Sequence, residues 1–261
     1  MSDFENPKLN RRDAITAIAT MSAASFSSTA KASNDSDATK VGHRFKDKVV
    51  LITGGTSGMG KTGALMFAME GAKVFFNGRR KEKGLAVEKM IREKGGEATF
   101  FQSDVSIETQ VQNFVAAAVK KYGKIDIAYN NAGIVLGRIP IHQQTLEQWN
   151  KIHSINSTGV FLCMKYELQQ MLKQKAGGSI INVSSTVGHS GFSKLPDYTS
   201  TKHSVCGLTR AAAVMYAKDN IRINAISPSD VRTPLIGGDK YVDQISAEHP
   251  MGRVAEPEEI V

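Results

Sequence analysis

Short β-branched runs alternate with longer amphipathic stretches from Lys46 to the end of the chain. Six of the runs are typical of buried strands, at residues 49–52, 72–76, 98–101, 125–129, 179–183 and 221–226. The stretches between them predict helices near residues 60–70, 81–94, 107–121, 145–174 and 198–218. This alternation predicts a parallel sheet with right-handed crossovers. The expected fold class is therefore a Rossmann-type doubly wound α/β domain, in which ligands bind outside the carboxyl ends of the strands.

Residues 1–45 lack this periodicity, so we assign them to a signal or disordered segment and residues 46–261 to one folded domain. Arg11-Arg12 precede the charge-free stretch 14–30, and Ala30-Lys31-Ala32 offers a small-x-small cleavage pattern. This order resembles a bacterial twin-arginine export signal, with a disordered cytosolic tail as the alternative. We therefore expect a periplasmic protein, or a cytoplasmic one if the segment is only a tail.

Composition excludes several classes of protein. The 41% of hydrophobic residues suffice for a core, and no charge-free apolar run reaches the roughly 20 residues that span a bilayer. The two cysteines, Cys163 and Cys206, exclude a disulfide scaffold and are expected to be buried thiols. The histidines show no metal-ligand spacing, so we expect no metal. The net charge of +8 suits an anionic ligand or merely a basic surface, but the basic residues lack the interleaved aromatics of nucleic-acid binding.

The loop after the first strand reads Thr53-Gly54-Gly55-Thr56-Ser57-Gly58-Met59-Gly60-Lys61-Thr62. Its glycines allow close approach of the backbone to phosphate oxygens, and the following helix N-terminus supplies unpaired amides. Residues 55–62 match the P-loop pattern of an ATPase, whereas residues 58–63 match the G-x-G-x-x-G pattern of dinucleotide-binding proteins. Later strands end in residues that cannot replace the aspartate an ATPase uses for magnesium, namely Asn77, Asn130 and Ser184. The ATPase therefore remains only as a remote alternative.

Four further motifs follow in order. They are Asn130-Asn131-Ala132-Gly133 after the fourth strand, Asn156 in the next helix, Ser184-Ser185 after the fifth strand, and Tyr198-Thr199-Ser200-Thr201-Lys202 opening a helix. Together with the glycine-rich turn, this combination resembles the classical short-chain dehydrogenase/reductase (SDR) family over residues 46–261. The resemblance implies an NAD(P)-binding domain that transfers hydride between a nicotinamide cofactor and a small alcohol or carbonyl substrate.

Tyr198 and Lys202 are four residues apart and therefore lie on one helix face, one turn from each other. An adjacent ammonium favours the phenolate, so we expect Lys202 to lower the pKa of Tyr198 and make it the general acid/base. The resemblance implies that Lys202 also binds the nicotinamide ribose, that Ser185 holds the substrate oxygen, and that Asn156 organises a water relay. Ser184 is the alternative for this role, but the spacing to Tyr198 favours Ser185.

Cofactor choice is expected to depend on the end of the second strand. The chain reads Asn77-Gly78-Arg79-Arg80 there, with no acid to bind the ribose hydroxyls of NAD. Arg79, with Arg80 as the alternate, is suited to the 2′-phosphate of NADP, so we predict NADP with NAD as the alternative. The resemblance implies that the other cofactor contacts are Gly54, Thr56, Ser57, Gly58, Met59, Gly60, Asp104, Val105, Asn131, Ala132, Gly133, Val231 and Thr233.

Two departures from the family pattern affect what we expect. Ser229 stands where the family usually has glycine after Pro228, and the chain stops at Val261 without the last helix and closing strand. We therefore expect a C-terminally truncated domain with its sixth strand at an edge. A homo-oligomer is expected for the full-length protein but is doubtful for this chain.

Substrate identity is outside the reach of these patterns. We expect the substrate pocket to include the residues after Gly133, the segment 189–195 and the loop 234–251. His189, Phe192 and Lys194 are either substrate contacts or ordinary loop residues. The leading hypothesis is an NADP-dependent oxidoreductase that interconverts a secondary alcohol and a ketone; the alternative is a non-catalytic NAD(P)-binding protein or an inactive fragment.

Overall fold

The sheet at the centre of the computed structural model, which describes residues 43–237 and 239–261, contains six parallel strands. The strands are β1 (Val49–Thr53), β2 (Lys73–Gly78), β3 (Glu97–Gln102), β4 (Ile127–Asn130), β5 (Gly178–Val183) and β6 (Ile221–Ile226). Their order is β3-β2-β1-β4-β5-β6. The predicted doubly wound α/β fold is therefore confirmed. Because the order reverses between β1 and β4, the crevice for a ligand lies at their carboxyl ends.

Seven α-helices connect or follow these strands within the described residues. They are α1 (Gly58–Met69), α2 (Lys81–Glu93), α3 (Glu108–Tyr122), α4 (Leu146–His153), α5 (Gly159–Gln174), α6 (Pro196–Tyr216) and α7 (Asp239–Ser246). All five residues of β1 are buried, because helices cover both faces of the sheet. Leu51 packs with α3, α5 and α6, whereas its neighbours Val50 and Ile52 pack with α1 and α2.

The helix predicted over residues 145–174 is interrupted. Thr145 starts it with a capping box, in which its hydroxyl accepts from the Gln148 amide at 3.1 Å and its own amide donates to Gln148 Oε1 at 2.9 Å. The π-helical turn Ser154–Thr158 then separates α4 from α5. A turn of this kind contains one residue more than an α-helical turn, which changes the direction of the side chains around it. Here the turn contains Asn156. Hydrophobic spacing alone does not reveal an insertion of this kind.

Residues just before the predicted boundary at Lys46 also contact the folded domain. The ring of Phe45 packs 4.9 Å from that of Phe67, and Arg44 pairs with Glu70 at 2.9 Å. Residues 1–42, which carry the predicted export signal, lie outside the described residues. In the part of the chain that is described, no helix is both long and apolar enough to cross a membrane. Cys163 and Cys206 are buried free thiols, as predicted.

A chain of buried polar side chains joins α5, the sheet and α6. Asn130 Nδ2 donates to Glu167 Oε2 at 2.9 Å and to Asn182 Oδ1 at 3.0 Å, and Asn182 Nδ2 donates to Thr209 Oγ1 at 2.9 Å. Glu167 is 1% exposed. Its burial raises its pKa to about 7, although the hydrogen bond from Asn130 acts to lower it. These side chains tie the ends of β4 and β5 to the helix that begins with the site residues described below.

We expect Glu167→Gln to increase the free energy of unfolding at alkaline pH. The unfolded chain releases the Glu167 proton near 4.5, the ordinary pKa of a glutamate side chain, whereas the folded chain retains it up to about 7. Stability is therefore lost as the pH rises through this window, and glutamine removes the loss, about 3 kcal/mol above pH ~8.

Urea unfolding at pH ~5 and pH ~8 measures this difference. Glu93→Gln, which removes a carboxyl with 65% of its side chain exposed, is the control and should show no such pH-dependent gain. An equal change at both pH values in Glu167→Gln would contradict the assignment of a buried neutral carboxyl.

Candidate active site

A cavity of about 720 Å³ opens at the carboxyl ends of the strands, where the fold predicts the ligand. Most of the site residues proposed from the sequence line it: Gly54, Thr56, Ser57, Gly58, Met59, Arg79, Asp104, Val105, Asn131, Ala132, Gly133, Ser185, Tyr198, Lys202, Val231 and Thr233. Gly60 and Asn156 do not line the cavity and instead support its walls. The fold therefore brings together elements that are far apart in the sequence.

The glycine-rich turn forms a cradle at one end of the cavity. Gly54 and Gly58 have φ of +70° and +52°, a region that favours glycine, and a Cβ on Gly60 would collide with the Gly54 carbonyl and the Asn131 side chain. Helix α1 starts here without an acidic residue in its first turn, and Ser57 makes no side-chain cap. Its first amides are thus available to an anion, and the cradle fits the pyrophosphate of a dinucleotide.

Asn77 holds this turn in place, a role that the sequence did not indicate. Its side chain is buried at the end of β2, where Oδ1 accepts from the Gly54 amide at 3.1 Å and the Asn77 carbonyl accepts from the Gly55 amide at 2.9 Å. Asn77 Nδ2 donates to Ser103 Oγ at 2.8 Å. A polar residue at the end of an otherwise apolar strand was the available signal, because a buried amide requires hydrogen-bond partners.

Thr53 and Asn131 join the turn after β1 to the turn after β4. Thr53 Oγ1 accepts from the amides of Asn131 and Ala132 at 3.0 and 3.1 Å, and Asn131 Nδ2 donates to the Thr53 carbonyl at 3.1 Å. The two loops that flank the crevice are thereby held at a constant separation.

The two arginines after β2 have different surroundings. Arg79 Nη1 lies 3.7 Å from Asp104 Oδ2, whereas Arg80 Nη2 donates to Thr56 Oγ1 at 3.1 Å and to Ser57 Oγ at 2.8 Å. Burial would raise the pKa of Asp104, but hydrogen bonds from Ser106 and the charge of Arg79 lower it overall. Both guanidinium groups line the cavity, and Arg80, the alternate in the sequence analysis, is the one that contacts the glycine-rich turn.

The two serines after β5 have distinct roles. Ser184 is 2% exposed, and its hydroxyl donates to the Lys202 carbonyl at 3.0 Å and lies 3.1 Å from Cys206 Sγ. Ser185 Oγ instead donates to the Pro228 carbonyl at 3.3 Å and lies close enough to the phenol of Tyr198 to influence its pKa. The geometry therefore associates Ser185, rather than Ser184, with Tyr198, in agreement with the spacing argument.

Lys202 lies beside Tyr198, but the pKa of the phenol is raised overall rather than lowered, contrary to our expectation. Its ammonium is 5.4 Å from the centroid of the Tyr198 ring and donates to the Val183 carbonyl at 2.8 Å. Burial raises the pKa of Tyr198 to about 12; the hydrogen bond with Ser185 lowers it and the charge of Asp230 raises it further. Burial also lowers the pKa of Lys202 to about 8. The sequence could not reveal this loss of solvation, which disfavours both charged forms.

Asn156 acts on the backbone next to the cavity. Its Oδ1 accepts from the Ile134 amide at 2.9 Å, and its Nδ2 donates to the Ile134 carbonyl at 2.9 Å and to Thr201 Oγ1 at 3.3 Å. The side chain thus links the π-helical turn, the loop after β4 and α6. This contact set positions the segment after Gly133, which lines the cavity.

The predicted substrate segments contribute unequally. Phe192 lines the cavity, whereas His189 and Lys194 do not; His189 Nε2 instead lies 2.9 Å from Ser227 Oγ. Sequence reasoning missed Asp230, which lines the cavity and lies 3.1 Å from His249, and Arg138, which lines it after β4.

No group of three or more potential metal ligands occurs among the residues that the structure describes.

Comparison with known proteins gives one consistent result. Residues 48–240 match the family model described as short chain dehydrogenase. A 2,5-dichloro-2,5-cyclohexadiene-1,4-diol dehydrogenase of Sphingobium indicum (strain B90A) is 37% identical over 220 residues, which cover 81% of this chain and 86% of that protein. A cyclohexanol dehydrogenase of Acinetobacter sp. (strain SE19) is 36% identical over 219 residues, which cover 84% and 86% of the two chains.

Solved structures agree with these relatives. The crystal structure of levodione reductase superposes with a TM-score of 0.80 at 36% identity, covering 83% of this chain and 88% of that one. The structure of ElxO with NADP bound has a TM-score of 0.76 at 37% identity, covering 82% and 88%. The match spans the glycine-rich turn and the Ser185–Tyr198–Lys202 group together, and this excludes the ATPase interpretation of the turn. The chain belongs to the short-chain dehydrogenase/reductase family.

Proposed function

We propose that this protein is an NADP-dependent oxidoreductase that interconverts a secondary alcohol and a ketone, with Tyr198 as the general acid/base. The observation that carries the proposal is that Ser185, Tyr198 and Lys202 line the same cavity as the glycine-rich turn. Cyclic secondary alcohols are the first substrates to test, because the two relatives named above are dehydrogenases of cyclohexanol and of a cyclohexadienediol.

A bound nicotinamide cofactor supplies or accepts the hydride. In the reduction, the Ser185 hydroxyl donates a hydrogen bond to the substrate carbonyl oxygen and stabilises the charge that develops there. The Tyr198 hydroxyl donates its proton to the same oxygen. Burial raises the pKa of this phenol, so Tyr198 carries its proton at neutral pH before the reduction begins.

Lys202 and Asn156 support this proton donor. Lys202 is 4% exposed and its ammonium donates to the Val183 carbonyl, so its charge stays at a defined place beside the Tyr198 ring. As the phenol loses its proton, this ammonium stabilises the phenolate and is itself favoured in its charged form. We assign the ribose contact to Lys202 and the support of a proton relay to Asn156, on the basis of the family resemblance.

The preference for NADP rests on the end of β2. No carboxylate follows Asn77 and Gly78 there, and two guanidinium groups line the cavity at this point instead. Arg80 extends to Ser57 at the first turn of α1, and Arg79 lies beside Asp104. Guanidinium groups match phosphate oxygens in charge and geometry, so Arg79 and Arg80 together are assigned to the 2′-phosphate. The solved relative with NADP bound supports this choice.

We expect Tyr198→Phe to lower kcat for oxidation of cyclohexanol at least about 100-fold while the affinity for NADPH is retained, because only the proton-transferring hydroxyl is lost. Tyr216→Phe, the same change on the same helix but outside the cavity, is the control. Steady-state kinetics and NADPH fluorescence measure the two effects. Undiminished turnover in Tyr198→Phe would refute the assigned role, and a wild-type chain that binds NADPH but turns over no alcohol or ketone would favour the non-catalytic alternative.

We expect Arg79→Met and Arg80→Met each to raise KM for NADP about 10-fold or more, since each removes a charge-assisted hydrogen bond to the 2′-phosphate. KM for NAD, which lacks that phosphate, should change little. Lys83→Met, an exposed cation in the first turn of α2, controls for the loss of one positive charge. An equal rise of both KM values in the arginine variants would contradict the proposed preference.

For the N-terminal segment, we propose export by the twin-arginine pathway. This pathway transports folded chains. A protein that must bind its cofactor before export requires a pathway of this kind. When the full chain is expressed in a bacterium with this pathway, it should reach the periplasm, and the double variant Arg11→Lys/Arg12→Lys should remain in the cytoplasm. Residues 43–261 expressed alone are the control and should also remain inside. Cell fractionation measures in which compartment each protein accumulates. Equal distribution of all three proteins between cytoplasm and periplasm would refute export.

A further inference from the structure

The loop after β6 is joined to the loop after β5 beside Ser185. Both the Ser185 hydroxyl and the Thr186 amide donate to the Pro228 carbonyl, at 3.3 and 3.0 Å. Asp230 follows Pro228 by two residues and lines the same cavity as Ser185 and Tyr198. The fold thus places a carboxylate in the part of the cavity to which we assign the proton transfer.

Contacts with a later part of the chain fix the position of Asp230. Its Oδ2 lies 3.1 Å from Nε2 of His249, and its backbone carbonyl accepts from the Ala255 amide at 3.2 Å. The Ala255 carbonyl in turn accepts from the Arg232 amide at 2.8 Å. One side-chain contact and two backbone hydrogen bonds therefore join residues 230–232 to residues 249–255.

The chain between these two stretches contributes to the cavity wall. Leu235 and Ile236 line the cavity, and Ile236 also packs against a small apolar cluster of Val242, Ile245 and Val254. Apolar contacts of this kind keep the wall in place by removing side chains from water. Because the cluster lies close in sequence to His249, we expect loss of the contact between His249 and Asp230 to displace the wall.

The carboxylate of Asp230 acts on the phenol of Tyr198. Burial raises the pKa of this phenol most, and the charge of Asp230 raises it further. Two other ionisable groups lie close: the Lys202 ammonium, 5.4 Å from the ring centroid, and the carboxyl of Asp197, which accepts from the Tyr198 amide at 2.7 Å. Of the two acids, Asp230 is the one that lines the cavity. Its partner His249 carries a compensating charge only when protonated.

We propose that Asp230 is a positioning residue for Tyr198: its carboxylate keeps the phenol protonated and so restricts the oxidation of alcohols to alkaline pH, while its contact with His249 holds the cavity wall. This inference rests on the proposed function, because it assigns the proton transfer to Tyr198. In the oxidation, the phenolate must accept the proton of the alcohol, and a second negative charge close by disfavours that phenolate.

Asp230→Asn tests the charge while it keeps the shape, because the carboxamide oxygen of asparagine can still accept a hydrogen bond from His249. For oxidation of cyclohexanol with NADP, we expect the rise of kcat/KM with pH to move at least about 0.5 unit lower. At pH ~8 this shift raises kcat/KM about 3- to 10-fold, since the fraction of phenolate grows. Damage to packing would lower the activity, so a gain identifies an electrostatic role.

Asp243→Asn is the matched control for the charge. It makes the same change at an exposed acid of α7 that does not line the cavity, and it should leave the pH profile unchanged. An unshifted profile in Asp230→Asn, or an equal shift in both variants, would overturn the electrostatic role of Asp230.

Two variants of His249 test the contact without removing the carboxylate. We expect His249→Leu to raise KM for cyclohexanol about 3-fold or more, since a hydrogen bond at the base of the wall is lost, and to keep the pH profile of the wild type. His249→Gln, whose side-chain amide can still donate, should restore KM. An unchanged KM in His249→Leu would overturn the role of this contact.

Ionisation of the phenol can also be measured without turnover. A difluorotyrosine incorporated at position 198 of the full chain is more acidic than tyrosine, so absorbance can follow the formation of its phenolate. With Asp230→Asn, this phenolate should form at a pH at least about 0.5 unit lower. If the shift occurs but the wild type converts no alcohol or ketone, the proposed function fails and the effect of Asp230 on residue 198 stands. Equal titration with and without Asp230→Asn overturns the inference and leaves the proposed function intact.

Discussion

The burial of the Lys202 ammonium beneath the cavity is the constraint on which the site depends. An ammonium removed from water is costly, and here it is tolerated because it donates to the Val183 carbonyl at the end of β5. Ser184 reinforces the junction by donating to the Lys202 carbonyl. The strand and helix α6 are thus held in one relative position. Tyr198, one helical turn away, shares that position, and so does Ser185, the residue after Ser184.

The opposite wall of the cavity is held by hydrogen bonds of uncharged side chains rather than by a buried charge. Asn77 fixes the glycine-rich turn, Thr53 and Asn131 join the turns after β1 and β4, and Asn156 holds the backbone of Ile134. These side chains satisfy backbone groups that loops would otherwise leave unpaired. The cavity is therefore preorganised on both sides, which reduces the reorganisation that a reaction would require. Function and stability share these residues, because the same buried hydrogen bonds serve both.

Hydrophobic periodicity was sufficient for the architecture. Strands buried on both faces must be mostly apolar, as residues 49–52 of β1 are, and the intervening helices must present one apolar face, so the order of elements was visible. Periodicity did not reveal the π-helical turn at 154–158 or the packing of Phe45 on Phe67. The first depends on a single inserted residue, and the second on a contact between residues that are distant in the chain.

By itself, the sequence determined the doubly wound fold, the position of the glycine-rich turn, and the candidate group of Tyr198, Lys202 and Ser185, because these depend on local spacing and on which elements alternate. Tertiary structure alone decided the electrostatics. Desolvation depends on everything that packs around a group, so the raised pKa of Tyr198 could not be read from its distance to Lys202 along the helix. The contacts of Arg80 with Ser57 and of Arg138 with Phe192 could not be read from the sequence either, because only the fold brings these residues close together.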